Sequence, residues 1–128
     1  MKNSCLLTIV LSVGCSMFIF SCKKSDTPVS LETTKWIESK ERTDTLVFVE
    51  KEIFTLNRPK ELRNGYMIPK YGSGLYFFKE LKDSIELYNS VSSSRVTKNY
   101  PFKIESNKLY IGDFYLNSGK LLVFERLK

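Results

Sequence analysis

The body of this sequence predicts an all-β fold, a small antiparallel up-and-down barrel of about eight strands, and three observations carry that prediction. From Thr34 onward the apolar residues fall in short runs rich in Val, Ile, Phe and Tyr, and no stretch sustains a helical period for three turns. Several runs alternate: on an extended chain Tyr100, Phe102 and Ile104 share one face while Pro101, Lys103 and Glu105 share the other. Most of the connections are tight and polar, whereas parallel strands need crossovers of roughly a dozen residues or more, so consecutive strands must be antiparallel neighbours. Such a meander leaves two exposed edges unless it curls and closes on itself, and closure removes both.

The elements follow in chain order. Lys2 supplies a short positive start, and residues 5–20 form an apolar core interrupted only by small residues such as Thr8, Ser12, Gly14 and Ser16. That is the pattern of a signal helix, cut off by Ser21, Lys23 and Lys24 before it reaches the ~20 apolar residues of a membrane span. The chain therefore divides into a leader over 1–21, a polar tether over 22–33 and a barrel domain over 34–128. The tether has Ser, Thr, Asp and Pro and no periodicity. Strands are expected at 34–40, 45–50, 53–58, 75–81, 84–89, 99–105, 108–114 and 120–127. Hairpin turns fall at 41–44, 50–52, 82–83, 106–107 and 117–119.

Two connections are longer, 59–74 and 90–98, and in a barrel with otherwise tight turns long loops are where a binding surface is built. The first combines Lys60, Arg63 and Lys70 with Tyr66, Met67, Ile68 and Tyr71. Tyr66, Met67 and Tyr71 are the candidate ligand contacts, expected to close over one mouth of the barrel.

Composition narrows the function. There is no histidine, and Cys22 is the only cysteine beyond the leader, which removes the usual general base, the common zinc ligands and a thiol nucleophile. The carboxylates Glu38, Asp44, Glu50, Glu52, Asp83 and Glu86 fall in turns or on polar strand faces and are expected to be solvated; Asp113, after Gly112, is expected at a turn or strand end. No catalytic residues, metal site or cofactor are expected. The net charge of +6 is spread among glutamates with no basic stripe, which argues against nucleic acid as a partner. A lone cysteine in the mature part permits no internal disulfide, so stability must come from packing, in a domain expected to be a monomer. The seven Tyr, the single Trp and most of the nine Phe lie beyond the leader. An eight-stranded barrel is just wide enough to be filled by such side chains or to hold one small ligand.

The apolar core of the leader ends in Ile19-Phe20-Ser21-Cys22, an aliphatic residue, a small residue and a cysteine, and this resembles the bacterial lipobox. The resemblance implies diacylglycerol on the Cys22 sulfur, cleavage after Ser21 and acylation, as with palmitate, of the freed amine. Cys15 is a rival, but cleavage there would strand Met17-Phe18-Ile19-Phe20 at the mature N-terminus. Two or three acyl chains, at about 0.8 kcal/mol per buried methylene, would tether the domain to a membrane essentially permanently. Lys23 after the cysteine implies, by the best-known sorting rule, the outer membrane.

The predicted strands resemble the lipocalin-like lipoproteins. Lipocalins place a tryptophan on the first strand against an arginine near the end of the last, and here Thr34-Lys35-Trp36 and Arg126 hold those positions. The resemblance implies a barrel plugged at one end by Trp36 with Arg126 stacked on it, and a non-catalytic binding protein of the cell envelope for a small apolar ligand or an envelope component. The alternative is a protein-interaction module such as a periplasmic inhibitor with a filled barrel, since Tyr71-Gly72-Ser73-Gly74-Leu75-Tyr76 loosely resembles the Ser-Gly-rich loop of lipid-anchored lysozyme inhibitors.

Overall fold

The structure is a computed structural model that describes residues 29–89 and 97–128. The expected signal helix, Cys22 and residues 90–96 of the second long loop lie outside the described residues. Regular structure among the described residues consists of ten strands: β1 Lys35–Glu38, β2 Thr45–Glu50, β3 Ile53–Asn57, β4 Lys60–Arg63, β5 Tyr66–Pro69, β6 Gly74–Glu80, β7 Ser84–Asn89, β8 Lys98–Glu105, β9 Lys108–Gly112 and β10 Leu121–Leu127. Eight of them close an antiparallel barrel in the order β1-β10-β9-β8-β7-β6-β3-β2. Closure falls between the first and last strands, where Trp36 faces Arg126 and Glu38 faces Phe124. The barrel closes within the segment from Lys35 to Leu127, so it has no open edge and draws on no strand from outside that segment.

The remaining two strands correct the expectation of a loop over 59–74. They form a separate hairpin, β4 on β5, bracketed inside the β3 to β6 connection. Its turn is Asn64-Gly65, with φ of +51° and +80°. A two-residue hairpin turn needs positive φ at both central positions, which Asn tolerates and Gly adopts freely.

Alternation places the core. Trp36, Leu46, Phe48, Phe54, Leu56, Phe78, Ile85, Leu87, Leu109, Ile111 and Phe124 all turn inward and are buried. Phe48, Phe54 and Phe78 meet near the middle with centroids 5.2 to 5.8 Å apart, so aromatic rings fill the barrel. The loops divide between the two ends. At one end run the tight turns after β2, β6 and β8, together with the entering chain, where Leu31 and Thr34 are buried. The other end, the mouth, carries the longer connections after β1, β3 and β9, together with the end of β7 and the start of β8. The tight turn expected at 117–119 is part of a longer connection that leaves β9 at Gly112 and re-enters β10 at Leu121.

Candidate functional site

At the mouth, β9 ends because Asp113 redirects the chain. Its Oδ1 accepts the backbone N–H groups of Tyr115 (3.2 Å) and Leu116 (2.9 Å), and its Oδ2 accepts the N–H (3.1 Å) and the hydroxyl of Ser118. Burial pushes this carboxyl upward, but the hydrogen bonds from Ser118, Leu116 and Tyr115 outweigh it and hold the group below its ordinary value. A carboxyl lowered in the folded state stabilises above its unfolded value near 4 and loses that contribution as pH falls through the folded value. Asp113→Asn should therefore be less stable than the unsubstituted protein at pH 7, and the gap should narrow below about pH 4. Denaturant midpoints at the two pH values check this; a gap that does not change with pH would show that the charge of Asp113 has no part in holding the loop.

The loop so formed swings Phe114 and Tyr115 over the barrel. Phe114 stands edge-on to Tyr76 (5.1 Å), Phe54 (5.7 Å) and Tyr115 (5.0 Å) and closes the core from above. Tyr115 is buried, and its hydroxyl donates to Asp44 Oδ2 at 3.0 Å. Asp44 also receives Arg58 Nε at 3.0 Å, with both side chains largely buried. The expectation that Asp44 is solvated is thus overturned: the loops of the mouth fold over it and supply a cation and a phenol in place of water. The Arg58 guanidinium lies 4.7 Å from the Tyr115 ring centroid and its Nη1 donates to the Tyr71 carbonyl at 2.6 Å. One arginine thereby stitches three loops together. Gly72 packs against the same phenol at φ +85°, where an added Cβ would come within 2.6 Å of the Tyr115 Cβ.

Above Phe114 lies a recess of about 390 Å³, walled by Tyr71, Tyr76, Tyr100 and Tyr115, with Lys98, Ser73 and Asn117 contributing to its lining. Lys98 Nζ sits 5.4 Å from the Tyr100 ring centroid and 3.3 Å from Asn117 Oδ1. Tyr76 donates its hydroxyl to the Gly72 carbonyl at 2.7 Å. Burial raises the phenols of Tyr76 and Tyr115, the latter further raised by the Asp44 carboxylate, so both remain protonated donors at neutral pH. Among the described residues the lining offers flat rings, hydroxyl and amide groups and one cation, Lys98. Among the described residues no three His, Cys, Asp or Glu side chains gather as metal ligands.

Of the residues singled out from the sequence, Tyr71 lines this recess, while Tyr66 and Met67 do not. They stand on the β4–β5 hairpin beyond its base and, as successive residues of one strand, face opposite ways. Trp36 is fully buried toward the other end; its Nε1 donates to Thr34 Oγ1 at 2.8 Å, and the Arg126 guanidinium lies 5.8 Å from its ring. Sequence reasoning misassigned Asp44 as solvated and missed Arg58, Tyr115 and Lys98. Only Lys98 carried a usable signal, since it is in step with the inward series Tyr100, Phe102 and Ile104. In comparisons with known proteins, the chain matches no family model, and neither a curated protein nor a solved structure matches it significantly.

Proposed function

We propose that this protein is a lipid-anchored lipoprotein of the bacterial cell envelope, tethered through Cys22 to the outer membrane, whose lipocalin-like barrel binds a small ligand at its mouth without catalysis. The observation that carries this reading is the recess of about 390 Å³ above Phe114, a concavity of binding-site size at the end of the barrel where the connections after β3 and β9 meet. A ring-filled core makes this a shallow cup and not a deep calyx. The aromatic walls together with Lys98, Ser73 and Asn117 suit an amphipathic molecule with one flat apolar face and a polar or anionic edge. The filled core equally supports the second reading, in which the same cup receives part of a partner protein.

Native mass spectrometry of residues 23–128, purified from a bacterial periplasm, tests the first reading. A defined adduct should be released on denaturation and should be missing from the Tyr71→Ala, Tyr100→Ala double variant. Bare protein that takes up no small molecule from an envelope extract would sink ligand carriage and leave the partner-protein reading. In the same experiment the full chain should lose its leader and gain acyl mass, and Cys22→Ser should do neither.

A further inference from the structure

The β4–β5 hairpin is the part of the fold that the recess leaves without a purpose. It pairs with no barrel strand and forms a two-stranded sheet of its own, an arrangement only marginally stable in water. Yet it carries exposed apolar side chains: Leu62 is 71% exposed, Tyr66 75% and Met67 60%, and Tyr71 at its base is 73% exposed. The pairing shows how they are disposed. Leu62 lies opposite Met67, while Arg63 lies opposite Tyr66, so the two pairs stand on opposite faces. Each face therefore presents an apolar group close to the Asn64-Gly65 turn, Leu62 with Met67 on one and the Tyr66 ring beside Arg63 on the other. Around them sit Lys60, Arg63 and Lys70, and the one carboxylate of the hairpin, Glu61, is engaged by Arg63.

From this arrangement we infer that the hairpin is a membrane-docking arm, whose tip enters the interface of an anionic lipid surface. A protein groove covers one face of a two-stranded ribbon, whereas a bilayer interface surrounds a tip on both, which is what Leu62 and Met67 on one side and Tyr66 on the other require. Tyr is suited to that zone because its ring is apolar and its hydroxyl stays wet. With Arg63 paired to Glu61, the excess charge of the arm lies on Lys60 and Lys70, which matches anionic headgroups and disfavours a second copy of the arm as the occupant. Dimensions agree: four-residue strands at ~3.3 Å per residue give an arm of about 13 Å, and interfacial burial takes only ~5–10 Å. The inference rests on the arm alone and stands whether or not the recess holds a ligand.

Residues 23–128, which carry the complete barrel and no lipidation cysteine, are mixed with vesicles of phosphatidylcholine alone or with added phosphatidylglycerol, and the bound fraction is read by co-sedimentation. Binding is expected only to the anionic vesicles and should fall with salt. Leu62→Ser with Met67→Ser, and separately Lys60→Glu with Lys70→Glu, should each weaken it by roughly tenfold at an unchanged melting temperature. No binding by the unsubstituted domain, equal binding to neutral vesicles, or undiminished binding by both variants would overturn the inference. So would dimerisation abolished by Leu62→Ser with Met67→Ser and unaccompanied by vesicle binding, which would assign the arm to a second copy.

Discussion

Replacing Arg58 with alanine is expected to cost about 3–5 kcal/mol, a large part of the stability of a domain this small. The change removes the cation facing Asp44, whose side chain is only 8% exposed, and it removes the donor to the Tyr71 carbonyl. Asp44 would keep the Tyr115 hydroxyl and a 3.3 Å contact from Thr43 Oγ1, which are too few partners for a buried carboxylate. Arg58→Lys keeps the charge but loses the fork that reaches Asp44 and Tyr71 together, so an intermediate loss is expected. Replacing the pair by Arg58→Met with Asp44→Leu should recover most of the loss, because the cost comes chiefly from a stranded charge and less from the pair itself. Urea unfolding of the four proteins checks the order. A cost below about 1 kcal/mol for Arg58→Ala would mean that Asp44 is hydrated, and the account of the mouth as a network centred on this pair would fall.

The contrast between the barrel and its arm shows where local sequence is informative. Strands such as β8 and β9 are legible because one face packs on the core: the burial of Phe102, Leu109 and Ile111 repeats the alternation written in the chain. The arm has no core beneath it, so Lys60–Arg63 and Tyr66–Pro69 show no inward face and look like a loop. Its signal was the Asn64-Gly65 dipeptide, which alone specifies a two-residue turn. Because Tyr66 and Met67 are successive residues of β5, their side chains face opposite ways. The sequence reads Asp44 as solvated and gives Arg58 no role for another reason. They come together only when β2 and β3 are paired and the mouth loops fold over, and a charged residue beside a turn is solvated by default. Asp113 was placed correctly at a strand end, but its hold on Ser118 turns an expected tight hairpin into a loop that covers the core.

At the opposite end of the barrel, Trp36→Ala is expected to be about as damaging as Arg58→Ala, at roughly 3–5 kcal/mol, through a cavity and not a charge. Trp36 has no exposed surface; Leu46 on β2 and Arg126 on β10 are its direct cross-strand partners, so it packs at the seam where first and last strands meet. Its N–H to Thr34 Oγ1 holds the entering chain, and Thr34 in turn donates its own N–H to the Leu31 carbonyl at 3.1 Å. Losing the ring therefore empties the seam and frees the segment that seals this end. Arg126 is exposed, so its stacking on the ring is worth no more than about 0.5–1 kcal/mol. The expected ranking of cost is Trp36→Ala first, Trp36→Phe far smaller because much of the volume is kept, and Arg126→Ala least or equal to it. Were Arg126→Ala as costly as Trp36→Ala, the arginine and not buried area would be what locks β1 to β10. Because the seam lies away from the mouth, the surviving folded fraction of Trp36→Phe should keep its recess and bind there with unchanged affinity, which separates closing the barrel from using it.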